Sequence, residues 1–432
     1  MMKKVYYQLK LTQKSPLRIG NGESEESDSD LMIDGRGFPF IPGSSLAGVL
    51  REQYGKMSSV SKNDVDSLFG YIDGEILENS HVIVSDAVVS PDAKEKDFII
   101  SIRDGIGIDE WGITITGNKY DFQVVETEKS YYAVLEWTGT EKSYQKEIEN
   151  GLDPLVKMIV AQGLLLGART TRGYGSMSVD VRRKKFDFPS EIQTWLMFDP
   201  FSADAFSDAE SVQAGNENQK NIRIVAELVM KGSFTVRVNT ARMEYMEDGS
   251  VPDSLPLKNS ENKPVIPGTS WAGVFRHHML ALMRQSGLER TKGGKTEALN
   301  LLFGKAKKEG EHVRSRIRFN ETEITGGKAY SMTRNAVERF TQSPRNTALY
   351  TNQLWQGGRG TLEIVVKASE ITTLQKQLLA TALIDLDLGL MTFGGESGVG
   401  RGRCEIEHLT VNGQDKTAEL KSQNSHFLEV KA

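Results

Sequence analysis

Two Asp-Ser pairs, Asp28-Ser29 and Asp253-Ser254, stand 225 residues apart, and each lies fourteen residues before a proline, Pro42 or Pro267. The first pair sits in a loop, Gly20–Asp34, that carries six acidic residues. A loop carboxylate can hold a hard divalent cation or serve as a general base. The same composition also suits a plain solvated loop. The prolines open Pro42-Gly43-Ser44-Ser45 and Pro267-Gly268-Thr269-Ser270, each before an apolar helical pattern. Free N–H groups and hydroxyls at a helix start either cap the helix or receive a phosphate. Two glycine-rich turns, Gly167–Gly175 and Gly394–Arg403, leave a helix for a strand. Glycine there permits a tight connection or the close approach of a phosphate backbone.

Other chemistries are excluded by what the motifs lack. Neither turn continues into Gly-Lys-Ser/Thr, so neither is a P-loop, and neither enters a helix as a dinucleotide fingerprint must. Six histidines are present and none has HExxH spacing. No nucleophile elbow occurs. The single cysteine, Cys404, excludes a disulfide framework and any Cys-based zinc site.

The elements that must position these groups come in two sets. Phe40–Val49 (FIPGSSLAGV) returns as Val265–Val274 (VIPGTSWAGV), with Arg51 and Arg276 following. Leu68-Phe69-Gly70 returns as Leu302-Phe303-Gly304, and the glycine turns recur in the same order. Near-constant offsets over several motifs mean two homologous domains. Boundaries are expected at residues 1–198 and 221–432, with residues 199–220 as a Ser/Asp/Ala-rich linker. Each copy opens on an alternating strand, Val5–Leu11 or Ile222–Val229, and continues into a helix after the Pro-Gly motif. Further strands, a Gly-rich hairpin region in the first copy, a long helix (Leu155–Leu166 or Leu374–Leu388) and a closing strand follow. That order predicts an α+β chain of two tandem ferredoxin-like, RRM-like domains.

With 38% hydrophobic and 26% charged residues the chain can build cores and is not a disordered one. No run of 18 apolar residues exists, so no membrane helix is expected. The N-terminus lacks the apolar stretch of a signal peptide, and a cytoplasmic location is expected. The net charge of −5 is unevenly spread: residues 1–200 hold 23 basic and 31 acidic groups, residues 201–432 hold 30 and 27. Segment 284–318 has ten Lys/Arg against four Glu, a local charge suited to a polyanion.

The Ile-Pro-Gly-Ser-Ser-Leu-x-Gly-x-x-Arg helix start and the terminal Gly-Gly-x-x-Gly-x-Gly-x-Gly turn resemble those of the RAMP superfamily. They are most similar to the backbone subunits of type III CRISPR effector complexes, above all the fused double-backbone subunit of subtype III-D. In that family a loop Asp lies in an Asp-Ser-Pro-Val-Ile-x-Asp pattern; Asp28–Asp34 and Asp253–Asn259 match it in part. The stretches Arg103–Asp109 and Arg334–Phe340 look like the start of the family's thumbs. Two departures stand out: Ala47 and Ala272 occupy positions where the family often has Lys, and Asn259 stands where Asp34 stands in the first copy.

The resemblance implies an RNA-binding subunit that lies along a CRISPR RNA beside other type III effector subunits, with no membrane partner. Its thumbs would interrupt pairing with a target single-stranded RNA, and Asp28 and Asp253 would cut at the interruption with Mg2+ or Mn2+. Guide RNA would be held by Ser44, Ser45 and Arg51, by Thr269, Ser270 and Arg276, by Arg103 and Arg334, and by turn residues. Those turn residues are Arg169, Arg172, Gly173 and Gly175 in one copy and Gly400, Arg401 and Gly402 in the other. Trp111 and Phe340 are candidate wedges, because an aromatic ring stacks on any base. The same fold could also be an inert RNA-binding scaffold. A repeat-RNA processing nuclease of the superfamily typically uses a His or Lys base in the loop after its first strand, and no His occurs in either such loop.

Overall fold

The computed structural model describes the chain except residues 23–26, 28–29, 74–75, 91–98, 109–113, 127–128, 216–220, 239–251, 288–294, 306–312 and 430–432. Its contacts divide into two compact units, residues 1–102, 121–170 and 174–218, and residues 103–120, 171–173 and 219–432. Both are mixed α+β, and each has its own sheet.

The first half of the chain runs β1 (Met2–Gln13), α1 (Gly43–Gly55), α2 (Lys62–Phe69), β2 (Val82–Val84), the hairpin β3–β4 (Ile100–Ile108 and Thr114–Val125), β5 (Ser130–Thr140), α3 (Asp153–Gln162) and β6 (Ser176–Phe188). The main sheet has the order β6-β1-β5-β2, all antiparallel. Strand alternation explains β1: Val5, Tyr7, Leu9 and Leu11 all point to one face and are fully buried there. Helix spacing explains α1: Leu46, Leu50 and Tyr54, four residues apart, form one buried stripe.

The second half runs β7 (Asn221–Met230), α4 (Gly268–Gln285), α5 (Lys295–Phe303), β8 (Ile317–Phe319), β9 (Thr322–Thr325), β10 (Lys328–Val337), β11 (Pro344–Gln356), β12 (Arg359–Lys367), α6 (Thr373–Asp387) and β13 (Cys404–Val411). Its sheet has β13 beside β7, β7 beside β12, and both β8 and β9 on β12. Trp271, Phe275, Met279 and Met283 repeat the four-residue stripe on α4. β10 and β11 form a separate long hairpin with the short strand Ser233–Phe234.

Three expectations change. Ser44, Ser45, Thr269 and Ser270 do not cap the helices: the cap residues are Pro42 and Pro267, without a side-chain cap bond. Asp86 Oδ1 instead accepts the Gly43 N–H at 2.6 Å. The expected helix Leu155–Leu166 runs Asp153–Gln162, follows a π-helical stretch Tyr144–Leu152, and stops at Gly163. Residues 199–215, expected as linker, fold onto the outer face of the first sheet. There Phe206 is buried with Tyr6 and Phe186, and Phe198 packs against them. Among the described residues no helix is long and apolar enough to cross a membrane.

Candidate functional site

Asp253 stands exposed on the loop before α4, beside the middle of β11. Its amide donates to the Thr351 carbonyl at 2.8 Å, and the Thr351 amide donates to Asp253 Oδ2 at 2.6 Å. The next residue bridges β11 in parallel: Ser254 pairs with Asn352, and the Gln353 amide donates to the Ser254 carbonyl at 3.0 Å. The Ser254 hydroxyl donates to Asn352 Oδ1 at 2.9 Å. The other end of that amide donates to Glu396 Oε1.

Glu396 lies half-buried in the glycine turn and is the hub of a polar network that reaches from buried Arg401 to exposed Arg237. Its carboxylate meets the guanidiniums of Arg401, Arg237 at 2.8 Å and Arg334 at 3.6 Å. Burial alone would raise its pKa; Arg401, then Arg237 and Arg334, outweigh it and hold the carboxyl below the usual Glu range. The more such a carboxylate is desolvated, the more it needs charged partners, because an unpaired buried charge is very costly. Arg401 also donates to the Ser233 hydroxyl at 2.7 Å and to the Tyr330 hydroxyl at 3.1 Å. Thus Asp253, Arg334 and Arg401, named from the sequence, converge on one site of the second unit. Asn352, Thr351, Glu396 and Arg237, not named from it, hold them together.

Two arginines expected on RNA are committed inside the protein. Arg401 is only 4% exposed and is surrounded by the partners above. Arg103 is 2% exposed and pairs with Glu321 at 3.5 Å within the second unit. Arg51 and Arg276 keep exposed faces; Arg51 bonds Asp66 at 2.7 Å and Arg276 bonds Asn300 at 2.9 Å. Ser44 and Ser45 are exposed and Thr269 and Ser270 half-buried. Arg172 is exposed at the end of a short helical turn. Arg169 lies 4.4 Å from the Phe122 ring centroid, with Arg18 at 4.7 Å and Tyr174 edge-on at 5.8 Å.

The glycine turns approach their own backbone. A Cβ on Gly175 would fall 1.8 Å from the Leu166 carbonyl oxygen, and one on Gly402 1.8 Å from that of Phe393. Both have positive φ, as do Gly173 and Gly400. At one register position of the two turns the charge changes sign: Arg169 and Glu396, 227 residues apart, are both left-handed at φ 60.

Asp34 and Asn259 each close the same kind of turn through one oxygen. Asp34 Oδ1 accepts the N–H groups of Arg36 at 2.9 Å and Phe38 at 3.0 Å. Asn259 Oδ1 accepts those of Glu261 at 3.1 Å and Lys263 at 3.0 Å. They differ at their other end: Asp34 Oδ2 accepts from the Arg36 guanidinium, whereas the Asn259 NH2 group donates to Glu323 Oε2 at 2.9 Å. Asp28 and Trp111 lie outside the described residues. Phe340, at the tip of the β10–β11 hairpin, is 96% exposed.

A chain of two homologous α+β halves, each carrying a Pro-Gly helix start and a glycine turn, defines a duplicated two-domain class. The family model of the RAMP superfamily matches residues 10–178 and 215–405, and the chain belongs to that superfamily. This membership points to a CRISPR-associated RNA-binding subunit. The comparison with curated proteins gives no match.

Proposed function

We propose that the chain is a CRISPR RNA-binding backbone subunit of a type III effector complex, most similar to the fused subunit of subtype III-D. In this reading it cuts guide-paired target RNA through Asp28 and Asp253. The observation that carries the proposal is Asp253, whose exposed carboxylate is anchored at one oxygen by the Thr351 amide and lies on the strand pair that ends in Phe340. The sheet order of each half, closing strand beside opening strand beside third beside second, supports reading both as ferredoxin-like domains. The two exposed hairpin arms support reading them as thumbs. Guide contacts that ignore sequence suit a protein whose target is read by base pairing.

The chemistry follows from one carboxylate. A nucleotide displaced by a hairpin can align its 2′-OH in line with the adjacent phosphate. Asp253 orients that hydroxyl and takes its proton. The 2′-O–P bond forms as the P–O5′ bond breaks, and water protonates the leaving 5′ oxygen. Among the described residues no three His, Cys, Asp or Glu side chains gather as metal ligands. In this reading Mg2+ or Mn2+ would be held by the loop Asp together with RNA phosphate oxygens and water, a common donor set for Mg2+. Such an ion supplies neutralisation of the charge that builds on the phosphate.

The test is a reconstituted guide complex with a complementary target. Asp253→Ala should abolish one cut, Asp28→Ala the other, and chelation both, while RNA stays bound. If both single variants give both products at normal rates, the inert scaffold reading replaces this one.

A further inference from the structure

We propose that Asn352 and Glu396 are positioning residues for Asp253, an inference that rests on the reading of Asp253 as the cutting group. Asp253 itself is exposed, and its loop is tied to β11 by few bonds. Two ties use side chains, the Thr351 amide to the Asp253 carboxylate and the Ser254 hydroxyl to Asn352, and only the second joins two side chains. A primary amide has a donor end and an acceptor end. Asn352 presents its oxygen to Ser254 because its NH2 group faces the Glu396 carboxylate. Turning the amide over would set oxygen against carboxylate. Glu396 in turn cannot drift, since Arg401, Arg237 and Arg334 hold it and Arg401 is itself fixed by Ser233 and Tyr330. Donation thus runs from the Ser254 hydroxyl beside Asp253 through the Asn352 amide to Glu396, where the arginines donate from the other side.

Its consequence is catalytic reach. A misplacement of about 1 Å at a reacting group can cost ~10²-fold in rate. Among the described residues the first half ties its loop differently: the Leu31 amide donates to Gln123 Oε1 at 3.0 Å, and Arg169, not an acid, stands at the position equivalent to Glu396, against Phe122. The cut assigned to Asp28 is therefore an internal control on the same RNA.

The experiment is a donor–acceptor swap in the assembled guide complex. Asn352→Asp alone sets its carboxylate against that of Glu396 and should slow the second-half cut about 10- to 100-fold. Glu396→Gln alone should slow it as well. The double variant Asn352→Asp with Glu396→Gln restores an acceptor toward Ser254 and a donor toward position 352 at unchanged net charge, so it should recover to within roughly fivefold of wild type. Hydrogen exchange at the Asp253 and Thr351 amides should rise in Asn352→Asp and fall again in the double variant. A double variant no faster than the slower single, or a single Asn352→Asp within about twofold of wild type, overturns the positioning role. An Asp253→Ala variant that keeps its cut overturns the cleavage reading instead. Loss of that cut in Asp253→Ala, with wild-type rates in Asn352→Asp, overturns positioning alone.

Discussion

Asp253 and Thr351 exchange two hydrogen bonds, amide to carbonyl at 2.8 Å and amide to carboxylate Oδ2 at 2.6 Å. The second can be kept while the charge is removed. Asn at 253 still offers an oxygen to the Thr351 amide, whereas Ala does not. Asp253→Asn should keep the loop, the melting temperature and RNA retention of the wild type, yet slow its cut by ~10²–10⁴-fold. Equal cutting by Asp253→Asn and wild type would mean that the negative charge is not used.

Arginines on the two helix starts should behave differently from the arginine in the glycine turn. Arg51 and Arg276 keep solvent-facing guanidiniums. Replacing either by Ala should lower the salt dependence of guide binding by about 0.7 in log–log slope, for every spacer sequence alike. Melting temperature should barely move, since exposed pairs contribute only ~0–1 kcal/mol. Arg401→Ala should do the reverse. It deprives Glu396, Ser233 and Tyr330 of a buried partner and should cost about 1–3 kcal/mol of stability. Salt titration and thermal melts of the three variants separate the classes, and an Arg401→Ala variant with wild-type stability would contradict the network.

The difference between Arg401 and Arg276 marks where sequence reading stops. Repeated motifs betrayed the duplication, because equal spacing survives in the linear chain. Alternation in Val5–Leu11 and four-residue spacing from Trp271 to Met283 carried the strands and helices for the same reason. Burial of an arginine between glycines has no linear signature; it depends on Ser233, Tyr330 and Glu396, which lie 168, 71 and 5 residues away. Asn352 was invisible for the same cause. Residues 199–215 read as linker because Phe198, Ala205 and Phe206 have no period, and they bury on the back of a sheet whose Tyr6 and Phe186 lie far upstream. One linear signal does point to the network: an acid at Glu396 and a base at Arg169 share one register position in two otherwise similar turns.

Gly402 and Gly400 share a positive φ, 73 and 86, and differ in their surroundings. A Cβ on Gly402 would collide with the Phe393 backbone, while one on Gly400 meets nothing within 4 Å. Gly400→Ala should cost only the left-handed backbone penalty, about 1–2 kcal/mol. Gly402→Ala adds a backbone clash that no side-chain rotation relieves, so it should destabilise by more than that and move the turn carrying Glu396. Denaturant melts of the pair check the order, and equal losses would mean that the turn relaxes freely.

Asp34 and Asn259 offer a built-in comparison for pH. Both accept two backbone N–H groups two and four residues on, but only Asp34 titrates. Burial pushes the Asp34 pKa up, and the Phe38 amide, the Arg36 side chain and the Arg36 amide together pull it below the usual Asp value. A carboxyl depressed on folding contributes stability that is fully present above its unfolded pKa, about 3.9. That contribution fades as pH falls through the folded value, because the unfolded chain then binds more protons than the folded one. Asp34→Asn should therefore resemble wild type near pH 7, losing at most the exposed Arg36 pair, worth ~0.2–1 kcal/mol. Below about pH 4 its stability should fall less steeply than that of wild type. Asn259→Asp is not the mirror of this change: the Asn259 NH2 group donates to Glu323 Oε2 at 2.9 Å, so an Asp there would meet a carboxylate and should lower stability near pH 7 relative to wild type. Asp34→Ala, which strands both amides, should cost about 1–3 kcal/mol at every pH. Unfolding free energies of the three variants between pH 3 and 7 decide it (roughly the span over which an Asp titrates), and parallel curves for Asp34→Asn and wild type would show that the carboxylate charge adds nothing to the turn.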